Sequence, residues 1–311
     1  MATTYVRNAN GEFELVGPGG ATTDTTLSLV GKPADAGAVG AALLNYSTKE
    51  YLASSISYFS NPNLLINSNF RNPVNQRGST SYTAVNRAYT IDRWNIGQGT
   101  LKVNSSSVTF EGNTTAGNLS RWFGQKFERA LSGTHRISFN CPVVTGEVVL
   151  VIRNNQNTET DLIYTIASGF NKFTINHASG SFDEVFFRMN TNNKFEIEWI
   201  KLEQGMTVTP FVPRLYDEEL IICRRYFRRY KNQMLFPQFY SNQYYGMRFD
   251  TPMRAKPTPG NFSIVNMNDS SQSVGASVDA DTEGIFKFWT ISSYTNSAIV
   301  VKSLDLDAEI Y

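Results

Sequence analysis

The sequence is short of histidine, short of cysteine and nearly free of net charge, and each shortage removes a class of function. Its 311 residues hold two histidines, His135 and His177. Histidine is the usual proton shuttle and a frequent metal ligand, and neither residue sits in a metal-type spacing. His135, in Gly133-Thr134-His135-Arg136, is expected at a turn entering a strand. His177 closes the run Phe173–Asn176 before a Gly/Ser turn, so both read as surface or turn residues. There is no Gly-x-Ser-x-Gly elbow, no phosphate loop and no His-Glu-x-x-His. Two cysteines, Cys141 and Cys223, cannot build a disulfide framework and read as buried free thiols. Lys plus Arg is 28 and Asp plus Glu is 27. That balance leaves no basic stripe for a nucleic-acid backbone or an anionic membrane. No window approaches the ~18 apolar residues of a membrane span. The start, Met1-Ala-Thr-Thr-Tyr-Val-Arg, lacks a charged-then-apolar leader. The expectation is a chain made in the cytoplasm without a signal peptide, reaching any outside location by a route such as lysis.

What the chain does have is neutral polarity, carried by Asn, Ser, Thr and Gln, and many aromatics. Such residues suit contacts to hydroxyl-rich ligands. Residues 1–31 are Gly- and Thr-rich, with one or two small strands around Glu12-Phe13-Glu14-Leu15-Val16. Lys32-Pro33-Ala34-Asp35-Ala36 starts a helix, with Pro near the first turn, and a second runs from about Thr48 to Tyr58. Helices this short are marginal alone; they need their own domain or copies of themselves around an axis. From Asn61-Pro62-Asn63 to about Pro213, short strands alternate with polar turns such as Asn154-Asn155-Gln156-Asn157, the pattern of a β-sandwich or jelly roll. Tyr216–Tyr230 reads as the strongest helix. Asp217, Glu218 and Glu219 stand in its first turn, Arg224, Arg225, Arg228 and Arg229 in its later part. Leu220, Cys223, Phe227 and Tyr230 make its apolar stripe. The remainder is strand-like again. The expected fold is therefore mainly β: an N-terminal segment with short helices (1–60), a central jelly-roll sandwich (61–214), a linking helix (215–231) and a C-terminal β domain (232–311).

Candidate chemistry is sparse. Glu196 and Glu198, two residues apart on one strand face, form a carboxylate pair of the kind glycoside hydrolysis needs, or an ordinary solvated face. Asp305 and Asp307 also share a face, where a calcium ion is an open option. Aromatics offer more. Sugar rings present C–H faces that pack on Trp and Tyr, while Asn, Gln and Arg bond the hydroxyls. Trp94 and Trp199 read as core; Trp122, in Arg121-Trp122-Phe123-Gly124-Gln125, reads as core or ligand-facing. Tyr240, Tyr244 and Tyr245, interleaved with Ser241, Asn242 and Gln243, are the best binding-type cluster, unless they pack between subunits. Trp289 and Tyr294 join either role.

Three segments together resemble phage and prophage tail proteins. The first is Thr26-Leu27-Ser28-Leu29-Val30-Gly31-Lys32-Pro33-Ala34-Asp35-Ala36-Gly37-Ala38-Val39-Gly40. The second is Asn63-Leu64-Leu65-Ile66-Asn67-Ser68-Asn69-Phe70, then Gln76-Arg77-Gly78 and Tyr89-Thr90-Ile91-Asp92-Arg93-Trp94. It is similar to the opening of a carbohydrate-binding-module-like sandwich. The third is Trp199-Ile200-Lys201-Leu202-Glu203-Gln204-Gly205, Thr209-Pro210-Phe211, Tyr216-Asp217-Glu218-Glu219-Leu220 and Cys223-Arg224-Arg225-Tyr226-Phe227. Pro252–Thr258 and the ending Leu306-Asp307-Ala308-Glu309-Ile310 fit the same class. The resemblance covers about residues 26–311. It implies a non-catalytic, homotrimeric tail-fibre or tail-tip receptor-binding protein, without cofactor or metal. Its N-terminal region would hold tail or baseplate proteins, and its distal β domain a host cell-surface glycan or protein. The alternatives it leaves are a structural baseplate or fibre-shaft component and a polysaccharide depolymerase. Since ligand residues vary within the class, it transfers no site.

Overall fold

The computed structural model describes residues 4–7, 10, 13–16, 60–112, 121–154, 161–238, 244–266, 276–290 and 297–310. The helices expected over 32–58 lie outside the described residues. Met1–Ser60 and Asn61–Tyr311 form two compact units. In the first, β1 (Thr4–Arg7) pairs antiparallel with β2 (Phe13–Val16), Tyr5 opposite Leu15.

The second unit opens with a sandwich. Its strands are β3 (Ser81–Ala84), β4 (Ala88–Tyr89), β5 (Asn95–Ile96), β6 (Gly99–Val103), β7 (Val108–Gly112), β8 (Arg121–Cys141), β9 (Val143–Thr145), β10 (Val148–Asn154), β11 (Leu162–Thr165), β12 (Gly169–Met189), β13 (Lys194–Ile197) and β14 (Trp199–Gln204). One sheet runs β11-β10-β12-β8-β5-β4, with β14 also on β8; the other runs β3-β6-β7-β13-β9. The expected β architecture is the one observed. Side chains alternate between faces along a strand, and the inward set is strongly aromatic. Phe110, Phe123, Phe139, Phe187, Phe195 and Trp94 are buried between the sheets, each contributing about 1.5–3 kcal/mol by leaving water. Trp94 stacks on Phe123 at 4.9 Å and 23°, as its reading as core requires. Gly124 lets β8 pass close to β12: a Cβ there would stand 2.3 Å from Phe186 Cβ and 2.5 Å from the Val185 carbonyl. Cys141 and Cys223 are free and buried, and burial raises both thiol pKa values.

β8 and β12 are 21 residues each, beyond the usual 3–10. They stay paired from Gly169↔Cys141 to Met189↔Arg121, with register shifts at His177/Ser181 and Phe182/Glu184 where bulges bend the ribbon. This corrects the reading of His135. Gly133, at φ +84, bends the strand from within rather than starting it. His135 is buried in β8, its ring edge-on to Phe182 at 5.3 Å.

A second correction concerns the linking helix. α1 covers only Tyr216–Cys223. Arg225 and Tyr226 turn back on Ile222 and Cys223 through backbone hydrogen bonds of 3.2 and 2.9 Å. From Phe227 the chain is strand β15 (Phe227–Gln238), paired with the distant β20 (Ser297–Asp307). The arginines face carboxylates instead of a helix dipole: Arg225–Glu128 at 3.3 Å, Arg228–Asp250 at 2.5 Å and Arg229–Asp305 at 2.5 Å. With β16 (Tyr244–Arg248), β17 (Thr258–Asn266), β18 (Ala276–Ala280) and β19 (Gly284–Thr290), these strands make two three-stranded sheets, β15-β20-β17 and β16-β19-β18. Their core holds Met253, Ile264, Ile285, Val301, Leu304 and Leu306.

Between the sandwich and this second core lies a buried polar joint. Asn67, at φ 55, donates to the Val74 and Asp92 carbonyls at 2.8 and 2.7 Å, and its backbone N–H donates to Glu219 at 2.7 Å. Glu219, rather than Leu220, is thus the buried residue of α1 beside Cys223. Gln76 Nε2 bridges Asp92 (2.6 Å) to the Phe227 carbonyl (2.7 Å). Arg93 donates to Glu309 at 2.6 Å and lies 3.8 Å over the Tyr226 ring; Arg77 lies 3.8 Å over Phe227. Buried charges hold only when paired and hydrogen-bonded, so the joint fixes one geometry between the two cores.

Candidate functional site

β14 reads Trp-Ile-Lys-Leu-Glu-Gln. Ile200 and Leu202 point into the sandwich, which leaves Trp199, Lys201 and Glu203 on the outer face of the sheet. β12 begins Gly-Phe-Asn-Lys-Phe-Thr-Ile and alternates the same way: Asn171 and Ile175 are buried, Phe170, Lys172 and Thr174 exposed. Register completes the site. Asn140 of β8 lies directly opposite Phe170 on one side and Trp199 on the other, and opposed residues share a face. Phe170, Asn140 and Trp199 therefore form a row across three strands, outside the core.

The outer face also explains the third ring. Lys201 donates to Thr209 Oγ1 (2.5 Å) and the Pro210 carbonyl (2.9 Å), and Glu203 accepts from the Thr209 N–H at 2.8 Å. Lys201 and Glu203, 3.2 Å apart, are buried under this segment. The segment's next residue, Phe211, is thereby laid flat on Trp199, with ring centroids 4.8 Å apart and planes 10° apart. Phe170 closes the row at 6.0 Å from Trp199 and is 57 % exposed. Polar groups stand beside the rings. Glu198 accepts from Asn140 Nδ2 at 3.2 Å and from Arg71 Nε at 3.1 Å. The hydrogen bond from Arg71 holds the Glu198 carboxyl below its usual range, so it is an acceptor at neutral pH. A half-exposed aromatic row with an amide, a carboxylate and a guanidinium at its edge can hold a sugar ring by its C–H face and its hydroxyls.

Trp199 thus leaves the core assigned to it; it belongs to the polar half of its strand. The carboxylate pair is also corrected. Glu196 lies in β13 of one sheet, accepting from Ser107 Oγ at 2.5 Å, whereas Glu198 sits where the chain crosses to the other sheet. They do not share a strand face.

Of the residues singled out by sequence, Tyr240 and Tyr294 lie outside the described residues. Tyr244 and Trp289 are directly opposed on β16 and β19, with Tyr245 opposite Phe288; the register brings these together. Trp122 is apart from them, half-buried in β8, with Arg87 4.7 Å over its ring and that guanidinium bonded to Glu184 at 2.6 Å. Asp305 is engaged by Arg229, and Asp307 accepts from the Glu309 N–H at 2.9 Å. Among the described residues, no three His, Cys, Asp or Glu side chains are placed to hold a metal ion. Phe170, Asn140 and Arg71 went unread and Phe211 was noted only as part of a resemblance segment, although an aromatic on the polar half of an alternating run, as Phe170 is, is a visible signal.

No protein-family model and no curated protein matches the chain. Among solved structures, a carbohydrate binding module of family 29 is 14 % identical over 40 % of this chain and 87 % of its own, with a TM-score of 0.26. A point mutant of the module CBM29-2 is 14 % identical over 44 % and 100 %, with a TM-score of 0.27. Another, complexed with mannohexaose, is 12 % identical over 40 % and 89 %, with a TM-score of 0.26. Scores this low carry no argument about ligand or mechanism.

Proposed function

We propose that this chain is a non-catalytic, glycan-binding adhesin of a phage tail or tail-like particle, and that the Phe170–Trp199–Phe211 row is its sugar platform. The row is the observation that carries the reading. Aromatic rings on a solvent-facing sheet, held flat by the buried Lys201–Glu203 anchor, do nothing for the core. The tail assignment rests on the sequence resemblance, supported by where its residues fall: the segments at 63–70, 76–78, 89–94, 216–227 and 306–310 meet at the joint between the two β cores. A fixed joint suits a fibre that must transmit position from particle to host surface. The chain would act as a homotrimer, anchored to tail or baseplate proteins by residues 1–60. Three weak sites per fibre then gain avidity. The C-terminal domain would offer a second contact around Tyr244, Tyr245 and Trp289.

The test is binding of the full chain to an array of bacterial envelope polysaccharides, with Trp199→Ala and Phe170→Ala beside it. Loss of a stacking ring at the centre of a site costs about 2 kcal/mol, ~30-fold in Kd. Binding unchanged in both variants would sink the platform, and release of reducing ends would make the protein a depolymerase. The purely structural reading draws on the same joint, since its signature residues are architectural. Antibody labelling of intact particles separates the two: signal at the distal tip supports adhesion, signal confined to the shaft supports structure.

A further inference from the structure

Where α1 gives way to β15, a cavity of about 270 Å³ opens, lined by Gln76 of the sandwich and by residues of the second core. Four of its lining residues are arginines: Arg224, Arg228, Arg229 and Arg248. One carboxylate, Asp250, lines it with them. Asp250 is shared, accepting from Arg224 Nη1 at 2.7 Å and Arg228 Nη1 at 2.5 Å. Arg229 is paired with Asp305. Arg248, exposed on β16, has no ion pair among the described residues. Four guanidinium groups thus face two carboxylates in a chain whose net charge is only +1. Elsewhere in the joint Arg77 and Arg93 stand among three carboxylates, Asp92, Asp307 and Glu309. Here Arg228, 5 % exposed, keeps a buried Nε without a hydrogen-bond acceptor and lies 4.5 Å over the Phe249 ring. Gathering like charges around an open cavity works against folding and favours an incoming anion. Guanidinium forks match the paired oxygens of phosphate and carboxylate.

We propose that this cavity is an oxyanion site, in which the half-buried Arg224 and the exposed Arg248 grip a phosphate or carboxylate group and Arg228 and Arg229 supply the positive field behind them. As to its natural ligand the proposal rests on the adhesin reading: the group would belong to an acidic envelope polymer, either a polyol phosphate or a uronic acid. Oxyanion binding itself does not depend on that reading.

The experiment is calorimetric titration of the full chain, in an oxyanion-free buffer, with inorganic phosphate, with glucuronate and with neutral glucose. The expected result is saturable binding of phosphate, glucuronate or both, weakened at least tenfold in Arg224→Ala/Arg248→Ala. Binding should be unaltered in Lys256→Ala, an exposed residue outside the cavity. Phosphate alone identifies a polyol-phosphate ligand, glucuronate alone a uronic acid, and both a site that reads only the oxyanion. If the double variant melts early, Arg248→Glu, at an exposed position, takes its place with the same tenfold expectation. No binding of either anion, or binding that the arginine variants retain, overturns the proposal. The polysaccharide array is run on the same variants. Glycan binding without any oxyanion binding removes the cavity and leaves the adhesin reading. Oxyanion binding in a chain that holds no glycan does the reverse.

Discussion

Replacing Glu309 by alanine removes the carboxylate on which the joint turns. Its Oε1 accepts the Arg93 backbone N–H at 3.1 Å, and its Oε2 accepts Arg93 Nη1 at 2.6 Å. The Arg93 side chain is 1 % exposed and that of Glu309 0 %, so the pair is shut off from bulk solvent. Breaking a buried pair from one side costs about 3–5 kcal/mol, because a desolvated charge is left behind. Arg93 keeps its hydrogen bond to the Lys126 carbonyl at 2.6 Å and its place over Tyr226, which puts the expectation near ~3 kcal/mol at the low end of that range. For a unit of this size that corresponds to a fall in Tm of roughly 6–12 °C. Urea denaturation followed by far-UV circular dichroism measures it. The double variant Arg93→Met/Glu309→Leu should recover most of the loss, since apolar side chains of similar volume replace a buried pair without desolvation cost. A Glu309→Ala protein within about 1 kcal/mol of the parent, below the range for a broken buried pair, would refute the reasoning. So would a double variant no more stable than the single.

Other consequences follow from single residues. Burial pushes the Asp92 carboxyl up to about 7, against the pull of Arg77 and with the push of Glu309. An unfolded Asp titrates near ~3.9, so between these values the folded state holds the extra proton. Stability contributed by Asp92 is therefore present at low pH and falls as pH rises from about 4 to about 7. Asp92→Asn should flatten that slope in denaturation curves at pH 5 and pH 8; an unchanged slope contradicts the assignment. Gly124→Ala should cost about 1–3 kcal/mol by overpacking β8 against β12, read as a lower urea midpoint with an unchanged m-value. Light scattering of the full chain should give three times the chain mass, whereas a concentration-independent monomer would remove the trimer.

Much of the fold was legible because β-structure writes itself in alternation, β-branched runs and polar turns. Val148–Asn154 is such a run and Lys194–Ile197 alternates. The helix was overread for a physical reason. Tyr216–Tyr230 carries acids early and bases late, the order a helix dipole prefers, but Arg225, Arg228 and Arg229 answer carboxylates 76 to 97 residues away in sequence, or 22 in the case of Asp250. Local spacing does not contain that information. The ladder with β20 then decides that Phe227 onward is strand. His135 was misplaced because a glycine inside a bent strand looks like the end of one. The platform was missed: Trp199 was assigned to the core and Phe170 passed over, although both stand on the polar half of an alternating run. Only register makes them neighbours across Asn140, and only the Lys201–Glu203 anchor lays Phe211 on top. The segments at 63–70, 89–94, 216–227 and 306–310 were visible in the sequence, while their meeting at a buried joint needed three dimensions.

The glycan-binding claim meets its most direct test on the polysaccharide array, with the full chain and Trp199→Ala side by side. A glycan bound intact by the parent and ~30-fold more weakly by the variant is the result expected of a non-catalytic adhesin using the aromatic row. A parent that binds no envelope glycan, or a variant that binds as tightly as the parent, contradicts it.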